Sequence, residues 1–177
     1  MAASPLADWE NFYVIVGSAA GGLTGLTFVV ISITAEAQRQ IAAGVRAFVT
    51  PTIVHFSVVL ALAAFLSAPH QSALTVGIGF MLGGALGVLY VGSIVRGMHT
   101  LRERYQPVGE DWAWNALVPG LAYACLLGMG IVAHHDLAAS LYGAAATALA
   151  LLFAGIHNAW DVAVWNSAQR GAGPGRS

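Results

Sequence analysis

The segment AGIHNAWDVAVW, residues 154–165, sets His157 and Asp161 four apart in a run otherwise rich in Ala, Leu and Val. On a helix, residues four apart stack on one face. An imidazole beside a carboxylate can hold a proton or pass it on, because unperturbed imidazole titrates near pH ~6.5. Asn158, next to His157, adds a hydrogen-bonding amide. Three further polar side chains stand inside apolar runs: His55, Tyr90 and Asn115. A polar or ionised group facing hydrocarbon is costly, about 2.5–3.5 kcal/mol for an Asp at mid-membrane. Such groups are expected to turn inward and pair. His55, Tyr90, Asn115, His157, Asn158 and Asp161 are therefore the candidate polar cluster or pathway.

The elements that must carry these residues follow from composition. Charged residues make up only 8% of the 177, and hydrophobic residues 58%. A soluble domain carries about 25% charge, so the chain reads as an all-α integral membrane protein with the lipid bilayer as its principal partner. The net charge of −1 gives no basis for nucleic-acid binding. Cys125 is the single cysteine, which excludes an intrachain disulfide and a cysteine-pair metal or redox site. The N-terminal MAASPLADWENFY lacks a positive region and carries Asp8 and Glu10. It does not read as a cleaved signal, and the first apolar segment is expected to remain as an anchor.

Charges punctuate the chain. No Asp, Glu, Lys or Arg stands between Glu10 and Glu36, Arg46 and Arg96, Asp111 and Asp136, or Asp136 and Asp161. A spanning helix needs roughly 20 apolar residues. The second interval holds two spans divided by SAPHQS, so five are expected: about 11–35, 50–68, 73–95, 113–133 and 139–164. Residues 1–170 then form one helical domain, with GAGPGRS at 171–177 a flexible tail. Thr50-Pro51 reads as an N-cap with proline at the first helical position, which starts span two there. Residues 36–49, EAQRQIAAGVRAFV, read either as a short amphipathic helix on the cytoplasmic membrane surface or as an extension of span one.

The seven basic residues are all arginines: 39, 46, 96, 102, 104, 170 and 176. Five spans place all of them on one side, whereas four or six would split them. The positive-inside rule then sets the N-terminus outside and the C-terminus in the cytoplasm of a cell inner membrane. In that frame His157 lies about 12 Å, and Asp161 about 6 Å, from Trp165 along the fifth span. His55 stands one turn past Pro51, Tyr90 lies about 9 Å short of Arg96, and Asn115 opens span four. All reach the inner half of the bilayer.

Gly17, Gly21 and Gly25 on span one, and Gly79, Gly83 and Gly87 on span three, form two Gly-xxx-Gly-xxx-Gly stripes. Such stripes let helix backbones approach closely, within one bundle or between protomers. His134, His135 and Asp136 offer a weak surface metal pattern that an exposed turn explains equally well.

No phosphate-binding glycine loop, His-Glu-x-x-His, Gly-x-Ser-x-Gly or haem-attachment motif occurs, and no motif specifies an enzyme. The leading expectation is an oligomeric channel or transporter for an ion, proton or small solute, with no cofactor required. Two alternatives stay open. One is a non-catalytic accessory or assembly subunit of a larger membrane complex. The other is a subunit binding quinone or a b-type haem, the latter through two histidines on different helices.

Overall fold

Long runs of Leu, Val, Ile and Ala leave backbone N–H and C=O groups with no polar side chains to satisfy them, and a helix satisfies them internally. The computed structural model describes residues 5–35, 42–100 and 109–171, and across these it contains helices and no strand. A short 3-10 turn, Pro5–Trp9, leads into α1, Glu10–Ala35. Then come α2, Ala42–Leu66, and α3, Ala73–Thr100. The fourth helix, α4, opens with the turn Gly109–Trp112, passes through a π-helical segment, Ala113–Leu117, and continues as Val118–Val132. The fifth, α5, is Leu137–Gly171.

Four stretches are long and apolar enough to cross a membrane: Pro5–Ser32, Ala73–Met98, Ala113–Val132 and Leu137–Asp161. Thr50–Leu66 is a shorter apolar helix of the same kind. Their outward faces carry large apolar side chains, among them Ile15, Leu26, Leu89, Leu121 and Phe153. Thr24, Thr27 and Ser32 on α1 each donate a hydroxyl hydrogen bond to the carbonyl one turn back.

The start of α2 differs from expectation. Its helix begins at Ala42, so Thr50 is not its cap and Pro51 lies inside it. A proline there removes one bond, to the carbonyl of Ala47, and the helix runs through it. Residues 36–41 of the expected amphipathic segment, and 172–177 of the tail, lie outside the described residues. Both α3 and α5 extend past the last apolar residue of their expected spans. Charges end an apolar stretch without ending a helix.

The helices alternate in direction. α1 packs on α2, α2 on α5, α5 on α4, and α4 on α3. The turn end of the bundle holds the α2–α3 and α4–α5 connections. There Ser72 accepts the Thr75 N–H as the N-cap of α3, and Asp136 accepts the Ala139 N–H as the N-cap of α5. Asp136 thus has a capping role, and the described residues hold no group of three or more His, Cys, Asp or Glu able to grip a metal. The opposite end, which carries Arg96, is where α4 begins and α3 and α5 finish.

The core is a file of Phe56, Val59, Leu62 and Leu66 on α2, Leu141, Ala144, Ala148 and Leu151 on α5, Tyr123 and Leu126 on α4, and Phe80 on α3. Backbones come closest between α3 and α4. A Cβ at Gly84 would stand 2.5 Å from the Leu127 nitrogen, and one at Gly130 would stand 2.8 Å from the Gly77 oxygen. The two glycine stripes divide by neighbour. A Cβ at Gly17 would lie 2.7 Å from Ala63, and one at Gly79 2.5 Å from the Phe65 ring. Gly87 faces the Tyr123 ring with no room for a methyl. Gly21 and Gly83 have ordinary space, and Gly25 is open.

Candidate functional site

The polar side chains gather toward the arginine end in two tiers. The outer tier joins α4 to α5. His157 Nε2 lies 3.2 Å from Oδ2 of Asp161 and 3.6 Å from Oε1 of Glu110. Neither approach is aligned as a hydrogen bond. They are charge contacts that strengthen when the imidazole is protonated. The imidazole is about a quarter exposed, while both carboxylates are mostly exposed. Its face stacks on the indole of Trp114, with ring centroids 4.3 Å apart and planes 23° from parallel. The indole face and the two carboxylates thus enclose the imidazole.

The inner tier is buried. Asn158 Nδ2 donates to Asn115 Oδ1 at 3.2 Å, and both residues are excluded from solvent. His55 is 0% exposed, and its Nδ1 lies 3.0 Å from the Tyr123 hydroxyl. That bond has two forms. Either Nδ1 donates to the phenol oxygen, or the phenol donates to Nδ1 and the ring proton sits on Nε2. Nε2 is buried without a hydrogen-bond partner. The Tyr90 ring meets His55 edge-on, 6.3 Å between centroids. Thr52, one turn before His55, is buried as well.

Local sequence explains the placement. Pro119 has no N–H to return to the Asn115 carbonyl, so the α register fails at that point. The Val118 N–H bonds instead to the Ala113 oxygen, a five-residue step. The π turn so formed carries both Trp114 and Asn115, and single π turns recur at functional positions. On the other side, Gly87 makes room for the Tyr123 ring and Gly155 for the Phe56 ring. The first seats the phenol that meets His55. The second sets α2 against α5 one residue from His55.

The sequence-derived candidates therefore fall into three contacts: His157 with Asp161, Asn115 with Asn158, and His55 with Tyr90. No hydrogen bond, ion pair or ring contact joins His55 to His157 among the described residues. Glu110, Trp114 and Tyr123 belong to the site and stood outside the candidate set. Glu110 reads as an ordinary helix-start acid and Trp114 as an interface residue. The proline two residues into VPG was the available signal for the π turn.

A groove of about 430 Å³ runs between α2 and α3, with Tyr123 and Leu126 of α4 in its wall. It reaches from Phe65 and Gly79 to Val54 and Tyr90, beside the inner tier. Comparison of the chain with protein-family models, with curated sequences and with solved structures gives no significant match.

Proposed function

We propose that the chain is a five-span protein of the cell inner membrane, N-terminus outside and C-terminus cytoplasmic, that works as an oligomer and carries protons along its two polar tiers. The four long apolar helices, and the apolar α2 packed between α1 and α5, support the spanning architecture. The observation that carries the reading is His55, wholly buried and bonded to Tyr123 in an apolar bundle. An unneeded imidazole at that position would be a standing cost. The outer tier supplies a titratable entry at the cytoplasmic face. Glu110 and Asp161 are open to water and flank the His157 ring, so the three line up proton-accepting groups from the surface inward. The proton fits better than a hydrated ion. The groove between α2 and α3 is apolar, whereas polar side chains bridged by water can relay a proton without an open aqueous pore.

The test is reconstitution into proteoliposomes with a pH-sensitive dye inside and an imposed potassium diffusion potential. Wild-type protein is expected to acidify or alkalinise the lumen with the sign of the potential. His157→Gln and Asp161→Asn are expected to lower the rate at least about tenfold while folding normally, as removal of a positioned acid or base does. Absence of wild-type flux, or equal flux from both folded variants, overturns the reading. The polar tiers would then be helix-pairing groups of an accessory subunit.

A further inference from the structure

We infer that the groove between α2 and α3 is a binding site for an uncharged lipophilic molecule with a flat, carbonyl-bearing head and an alkyl or isoprenoid tail, the chemistry of a quinone. The inference shares five-span insertion with the proton reading and does not depend on flux.

The groove is built to be narrow and apolar. Gly79, Gly83 and Gly87 line its α3 side with Leu86 and Tyr90, and Val58, Ala61 and Phe65 line the α2 side. Between Val54 and Phe65 it extends about 16 Å along the helix, at about 1.5 Å per residue. Its size lies in the range of small-molecule sites, roughly 300–1,000 Å³.

The two ends differ. The end near the turns is closed by Phe65 against Gly79. The other end presents Tyr90 and Tyr123, and Tyr123 is backed by His55. Tyr90 is partly exposed there and its phenol offers a donor to a carbonyl oxygen, while the wholly buried Tyr123 ring forms the floor beneath it. His55 can shift its proton between ring nitrogens as the Tyr123 hydroxyl turns from donor to acceptor, and its buried Nε2 has no other partner. No charged side chain lines the groove. Arg96 stands about 9 Å beyond Tyr90 along α3. Among the described residues the groove wall offers a phosphate headgroup no cation, whereas a neutral head needs none and loses no charge hydration.

The experiment uses the full chain purified in detergent and a dimethoxy-methylbenzoquinone with a decyl tail. The unfolding temperature is expected to rise saturably with quinone concentration. Decanol, which has the same tail without the ring, is expected to give no saturable rise. Ala61→Phe fills the groove from an exposed wall position. It should raise the half-saturating concentration at least about tenfold and leave proteoliposome proton flux unchanged. Tyr90→Phe should raise it about 2- to 10-fold, the value of one hydrogen bond. Equal stabilisation by decanol would make the groove a seat for acyl chains and overturn the inference. So would no saturable rise, or wild-type affinity in Ala61→Phe. Loss of flux with quinone binding intact would count against the proton reading alone.

Discussion

Asn115 and Asn158 bond across 43 residues of sequence, and each amide is buried with the other as partner. Removing Asn158 takes away this buried inter-helix bond, which costs about 1–3 kcal/mol. Asn158→Ala should therefore lower unfolding stability in detergent by that amount. Adding Asn115→Ala should cost less than a second equal loss, since the shared bond is already gone. Strict additivity in thermal unfolding would show that the pair does not interact. At this scale the sequence was legible where chemistry is local. The four-residue spacing of His157 and Asp161 already stacks them on one face, and the structure sets them 3.2 Å apart. Partners from separate helices were not legible. His55 meets Tyr123 across 68 residues, and nothing in either one's neighbourhood marks the other. Shared depth suggested a single cluster of His55 with His157, but depth says nothing about which way a helix face turns.

Among the elements, the glycines divide into those that hold helices together and those that do not. Gly84 and Gly130 sit where backbone meets backbone at the α3–α4 crossing. A methyl there cannot be absorbed by a flexible side chain. Gly84→Ala and Gly130→Ala should each destabilise by about 1–3 kcal/mol, the usual cost of overpacking. Gly128 has open space for a Cβ, so Gly128→Ala should change the unfolding midpoint little. Equal behaviour of all three variants would mean that α3 and α4 do not touch as described. The N-cap of α5 gives a second check. Asp136→Ala should cost about 1 kcal/mol by loss of the Ala139 bond, and a metal role would add a dependence on chelators that a cap lacks. The helices themselves could be read from charge-free intervals, because each interval approximates one bilayer thickness, or two where SAPHQS divides it. Stripe spacing alone did not tell Gly87, pressed on Tyr123, from Gly25, which faces open space. Pairing between helices decides that, and α3 closes on α4 through Gly77 and Gly84 as much as through the stripe.

For the whole molecule, the decisive matter is whether α2 crosses the membrane. Its apolar part, Thr50–Leu66, is shorter than the other four stretches. The complete helix has 25 residues, about 37 Å at 1.5 Å per residue, against a hydrocarbon core of about 30 Å. It also runs antiparallel between α1 and α5 and buries Phe56, Val59, Leu62 and Leu66 against them. A helix lying on the surface could not bury such residues along its length. If α2 spans with its neighbours, all seven arginines share one side, and the termini fall on opposite sides. If it does not, the termini share a side and the arginines split. A reporter fused after Ser177 should therefore behave as cytoplasmic, and one fused at the N-terminus as external. Single cysteines in a Cys125→Ser background extend the test. Placed at His70 and His135, at the turn end, they should react with an impermeant maleimide added outside intact cells. One placed at Gly97 should react only after the membrane is opened. Labelling of Gly97→Cys from outside would reverse the orientation, and the outer tier of Glu110, His157 and Asp161 would then open to the exterior instead of the cytoplasm.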